Sequence, residues 1–165
     1  MEIEIKLNLK GMLLKDPNKA MDILEDELGK LFEEGLAFIH SRVLKATPVW
    51  QGHLSENIAR GPISGSGLGI HGTVFSNIIY GNFIEEGFPI HAIPNIENLA
   101  DWVKAKMGLS GSDLYMVSRA IARKIASYGI KGRFMFKKGF EEGERELPKM
   151  IERAESRIIG RWNQQ

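Results

Sequence analysis

Between Pro17 and Thr47, apolar residues recur at Met21, Leu24, Leu28, Phe32, Leu36, Ile39 and Val43. Spacings of three and four place them in one stripe along a long amphipathic helix. The rest of the chain must supply something to cover that stripe. Asp16-Pro17 is a helix start, because Asp16 can accept free backbone N–H groups and Pro17 suits the first helical position. The helix should stop near Thr47, since Pro48 disfavours helical geometry in the residue before it. Gly29 and Gly35 interrupt the run at a cost of roughly 1 kcal/mol each relative to Ala. Close packing against a sheet is the expected reason for them.

Strands are expected on both sides of this helix. Residues 2–9 alternate, with Ile3, Ile5, Leu7 and Leu9 opposite Glu2, Glu4, Lys6 and Asn8, and Gly11 ends the run. After Gly52 and Leu54 a strand is predicted from Ser55 to Ile63. Ser64–Gly69 is read as a mobile hairpin tip. No Lys-Ser/Thr and no helix follow it, so it is not a nucleotide-phosphate loop. The β-prone residues Val74, Phe75, Ile78, Ile79 and Tyr80 form the next strand. Gly81 and Gly87 then bracket a compact turn carrying Glu85 and Glu86.

The C-terminal half reads as helical. Asn95 can cap a helix with Leu99, Trp102, Val103 and Met107 inward and Gly108 as its stop. Ser112 can cap another, with Leu114, Val117, Ile121, Ile125 and Tyr128 on one face and Gly129 at its end. Phe134–Phe136 is a short strand or buried plug, and a last helix starts near Lys138. Pro148 should break or kink that helix, leaving a charged tail, 148–165, that projects from the body. The fold class is α+β: an antiparallel sheet with the long N-terminal helix packed across it, plus further helices in the C-terminal half.

The chain has 165 residues, enough for a single domain with a real core. It contains no cysteine, so disulfides and thiolate chemistry are excluded. No apolar run approaches the ~20 residues of a membrane span, and Met1-Glu-Ile-Glu-Ile lacks the basic-then-apolar order of a secretory leader. The net charge of +1 argues against a protein that coats nucleic acid. Its distribution is uneven: residues 1–100 hold 8 basic and 13 acidic side chains, residues 101–165 hold 14 and 8. A compact fold would mix the two halves, whereas unlike faces would suit stacking beside copies of itself.

No catalytic set stands out. His40, His53, His71 and His91 form no His-x-x-x-His pair, so no metal site is expected. Glu85 and Glu86 are adjacent, and neighbours on an extended chain point apart. One is expected to be a structural acceptor and the other an exposed charge. No Gly-x-Ser-x-Gly elbow exists. The expectation is a protein without hydrolytic activity, cofactor or metal. Arg119, Arg123 and Lys124 are read first as a solvated face. The basic residues Lys131, Arg133, Lys137 and Lys138, interleaved with Phe134 and Phe136, leave a nucleic-acid-binding module over 119–138 as an alternative. A small hydrolase using Glu85 and a histidine is a further one.

Three segments together resemble the small tail-completion, or head–tail joining, proteins of long-tailed bacteriophages and prophages. They are Lys45-Ala-Thr-Pro-Val-Trp-Gln-Gly-His-Leu54, Tyr80-Gly-Asn-Phe-Ile-Glu-Glu-Gly87 and Gly129-Ile-Lys-Gly-Arg-Phe-Met-Phe136. The family carries Thr-Pro-Val-Asp-Thr-Gly-x-Leu, Tyr-Ala-x-x-Val-Glu-Phe-Gly and an Arg-Pro-Phe-Phe segment in the same order. Here Trp50-Gln51 replaces Asp-Thr, Gly81 replaces Ala, Glu86 replaces an aromatic and Phe134 replaces Pro. The residues that match are Thr47, Pro48, Gly52, Leu54, Tyr80, Glu85, Gly87, Arg133 and Phe136.

The resemblance implies a non-enzymatic virion protein of the tail or neck, assembled in the host bacterial cytoplasm. Such a protein forms a homo-oligomeric ring, commonly a hexamer, between the connector and tail-tube proteins; the short apolar runs and the near-neutral charge add the expectation of no membrane and no direct nucleic-acid partner. A head-to-tail ring needs two different complementary surfaces on one subunit. Glu25 and Glu33 on the first helix, and Arg119 and Arg123 on the 112–128 helix, are the candidates for that contact.

Overall fold

The computed structural model describes residues 12, 15–48, 53–65, 69–78 and 81–164. In chain order these form α1 (Pro17–Ala46), α2 (His53–Glu56), β1 (Ile58–Arg60), β2 (Val74–Ser76), α3 (Gly81–Glu85), β3 (Gly87–Phe88), α4 (Ile96–Met107), α5 (Gly111–Tyr128), β4 (Ile130–Lys131) and α6 (Met135–Asn163). The class is α+β, with helices dominant and, among the described residues, strands in two two-stranded sheets, β1–β2 and β3–β4. The strand predicted over 2–9, with Gly52, Trp50-Gln51 and Tyr80, lies outside the described residues. Contacts divide the chain into two units: Met1–Arg42 with Ala59–Phe75 and Phe140–Gln165, and Val43–Ile58 with Ser76–Gly139.

In the first unit, α1 is covered by a helix. Ile23, Leu24, Leu28 and Leu31 of α1 form one buried cluster with Met150, Ala154 and Ile158 of α6. Asp16 caps the start of α1, its Oδ1 accepting the Lys19 N–H at 3.1 Å. Of the predicted stripe, Met21 faces solvent, and Ile23 and Leu31 are buried instead. Gly29 and Gly35 do not serve packing against a sheet, since a Cβ built on either meets nothing within 4 Å. The close approach falls at Gly143 of α6, where an added Cβ would lie 2.6 Å from Ile39 Cγ1.

Two expectations for the C-terminus are corrected. α6 runs unbroken through Pro148, and Met150, Ala154 and Ile158 beyond it are buried in the core, so the segment is packed rather than a projecting tail. A helix-interior proline costs about 3 kcal/mol, while burying Met150 and Ile158 returns about 1.5–3 kcal/mol each. Burial therefore outweighs the lost hydrogen bond. The strand predicted over Ser55–Ile63 is reduced to β1, because α2 occupies its first residues. Hydrogen bonding between β1 and β2 continues through Gly61 N–H to Thr73 O (2.8 Å) and an antiparallel bridge between Ser64 and His71. Residues 66–68 of the predicted mobile tip are not among the described ones.

In the second unit α4 packs on α5. Asn95 caps α4, its Oδ1 accepting Glu97 N–H at 2.8 Å and Asn98 N–H at 3.1 Å, and Gly108 ends it in the left-handed region. Ala100 and Val103 are its buried residues, and Met107 is exposed rather than inward. α5 starts one residue before Ser112, and its N-cap, Ser110, makes no side-chain cap bond. Its fully buried positions are the small Ser118 and Ala122, while Tyr128 is 76% exposed. The strand from Val74 stops at Ser76, and the predicted turn after Gly81 is a single helical turn, α3. Phe134–Phe136 is not a strand. Met135, fully buried, is the plug, and α6 begins there.

Candidate functional site: the junction of three segments and two charged helix faces

The described residues of the three segments singled out in the sequence meet within the second unit. Thr47, buried at the end of α1, donates its hydroxyl to Val43 O at 2.7 Å and lies 3.3 Å from Met135 Sδ. Leu54 packs on Gly81, where an added Cβ would be 3.7 Å from Leu54 Cδ1. β3 pairs antiparallel with β4 in the register Gly87↔Lys131 and Phe88↔Ile130. Gly87 adopts φ +84°, and a Cβ there would lie 2.3 Å from Ile130 O. Only glycine meets both conditions. Gly132 is also closely packed, since its Cβ would lie 2.7 Å from Glu85 O and Glu86 O.

Glu85 closes this junction. Its carboxylate accepts the N–H of Phe136 (2.9 Å) and of Lys137 (3.0 Å), the free amides of the first turn of α6. Its carbonyl accepts Phe134 N–H at 2.9 Å, and Ile84 O accepts Arg133 N–H at 2.7 Å. Phe134 takes a left-handed backbone, φ 52°, to turn the chain into the helix. Glu86 is exposed. A carboxylate that accepts two backbone amides is a structural acceptor.

Beside the junction is an apolar cavity of about 1160 Å³. Pro48, Phe83, Phe88, Trp102 and Ile121 line it, with Lys131, Arg133 and Lys138. Phe83 and Phe88 stack edge-to-face with centroids 5.3 Å apart.

In the first unit, the buried charge that sequence reasoning missed is Glu27. It is 1% exposed, and its carboxylate accepts from Arg157 Nε (2.6 Å), Lys30 Nζ (2.9 Å) and Arg161 Nη1 (3.0 Å). Burial pushes its carboxyl up, but the Arg157, Lys30 and Arg161 hydrogen bonds outweigh that and hold it at about 2. Asp26 joins Lys30 and Arg161, and Glu34 pairs with Arg157 at 3.2 Å. The only signal in the sequence was position, since Glu27 stands beside Leu28 and four residues after Ile23.

Among the described residues one close serine–histidine pair stands out. Ser64 Oγ and His71 Nε2 are 2.8 Å apart, but the pair is exposed on the β-bridge. Among the described residues no group of three or more His, Asp or Glu could hold a metal, and no helix is long and apolar enough to cross a membrane.

Glu25, Glu33, Arg119 and Arg123 are all exposed, and none forms an ion pair among the described residues. Arg119 and Arg123 flank a small apolar cleft lined by Ile93, Ile96, Ala122 and Ala126. The charge imbalance partly follows the two units: the first holds 12 basic and 15 acidic side chains, the second 10 and 6. No family model, no curated protein and no solved structure matches this chain.

Proposed function

We propose that this chain is a virion structural subunit, a tail-completion or head–tail joining protein that assembles as a ring between connector and tail tube and performs no catalysis. One observation carries the reading. The three segments that resemble that family are spread along the chain from Lys45 to Phe136, yet they form a single packed junction rather than three separate surface matches. Thr47 reaches Met135, Leu54 covers Gly81, and Glu85 caps the helix after Arg133. Motifs that support one another in space form a module. The commitment of Glu85 to backbone amides adds to the case against a carboxylate catalyst.

Native mass measurement of the purified chain, alone and with the tail-tube protein of the same phage or prophage, tests the reading. The expected result is one discrete ring whose mass is a small multiple of the subunit, and its co-migration with tail tube. A chain that stays monomeric over the accessible concentration range and ignores tail tube overturns it. So does a defined turnover that disappears in Glu85→Gln.

A further inference from the structure

We infer that the outward face of α1, formed by Asp22, Glu25, Gly29 and Glu33, is the docking surface for the Met116, Arg119 and Arg123 face of α5 on a second copy of this chain. The inference rests on the ring-forming reading, and it names the contact.

Among the described residues both faces are unpartnered helix surfaces. On α1, spacings of three, four and four align the four residues on the side opposite the buried Ile23, Leu24, Leu28 and Leu31. Asp22, Glu25 and Glu33 are exposed and form no ion pair among the described residues. On α5, spacings of three and four align Met116, 64% exposed, with the exposed Arg119 and Arg123. One face is anionic, and the other is cationic with an apolar cleft beside it.

Gly29 gives the pairing its geometry. A glycine inside a helix is unfavourable, and among the described residues nothing requires one here, since an added Cβ meets none of their atoms within 4 Å. A helix surface without a Cβ lets another helix approach closely. With about 1.5 Å of rise per residue, Glu25 and Glu33 lie roughly 12 Å apart and straddle Gly29, while Arg119 and Arg123 lie roughly 6 Å apart. Two arginines crossing at Gly29 can therefore splay outward, one to each glutamate. The surfaces differ and lie on different units, so each copy offers both, the condition for a head-to-tail assembly. Charge sets register and encounter rate, and close packing at Gly29 supplies adhesion.

Association of the full chain is followed by native mass measurement and sedimentation in four variants. Arg119→Glu with Arg123→Glu should weaken association roughly tenfold or more, as should Glu25→Arg with Glu33→Arg. All four changes in one chain should restore it. Gly29→Leu should raise the melting temperature of the monomer, because leucine favours helix, yet lower association by a similar factor. A merely structural glycine would move the two readouts together. If wild type forms an oligomer that all these variants leave intact, this contact is wrong and the ring reading stands. A combined reversal that folds but stays dissociated also overturns the contact. If wild type is monomeric at every concentration, both fail.

Discussion

The carboxylate of Glu85 caps a helix that begins 50 residues later: it accepts the backbone N–H of Phe136 at 2.9 Å and of Lys137 at 3.0 Å. Helix caps are usually supplied by the residue next to the first turn. Here that position is Phe134, which has no acceptor side chain and a left-handed backbone. A distant acid fills the role, and its negative charge suits the positive end of the α6 dipole.

Replacing Glu85 with Ala should therefore lower stability by about 1 kcal/mol and speed hydrogen exchange at the Phe136 and Lys137 amides. Glu85→Gln should fall between Ala and wild type, since an amide oxygen still accepts. Unchanged protection at those two amides would rule the cap out.

Glu27 predicts an acid limb in stability. Its folded-state carboxyl is depressed to about 2 against an ordinary 4.5. A depressed acid contributes stability that is fully present above its unfolded value and is lost as pH falls through the folded one. The contribution should hold above about pH 4.5 and decline between there and pH 2, by a few kcal/mol in total. Glu27→Ala should remove that limb and cost about 3 kcal/mol at neutral pH, because Arg157 and Arg161 lose their buried partner. Chemical denaturation at stepped pH measures both effects.

The crossing of β3 and β4 tolerates no side chain at its centre. Gly87→Ala places a methyl 2.3 Å from Ile130 O at φ +84°. It should destabilise the second unit by about 2 kcal/mol or more. A substitution at Gly29, where no described atom lies within 4 Å of an added Cβ, should not. Equal melting temperatures for Gly87→Ala and wild type would contradict the register given by the β3–β4 pairing.

Pro148 lies inside α6 without ending it. Pro148→Ala restores a backbone donor and removes the ring's conflict with the preceding turn. Stability should rise by about 1–3 kcal/mol. A loss instead would mean that the proline sets a bend on which the Met150–Ile158 packing depends.

The sequence by itself determined the long first helix, its start at Asp16-Pro17 and its end at Thr47-Pro48, and it determined α4 between Asn95 and Gly108. These boundaries rest on proline geometry, caps and left-handed glycine, which act within a few residues whatever surrounds them. Only the tertiary structure decided which acid is buried, what Glu85 caps, and that α6 continues through Pro148. Glu27 and Arg157 are 130 residues apart, and Glu85 and Phe136 are 51. The free energy of burying a carboxylate or completing a cap depends on what arrives from that distance, and periodicity carries no record of it. Gly29 shows the same division: its local cost is plain in the sequence, and that no described atom approaches an added Cβ there appears only in three dimensions.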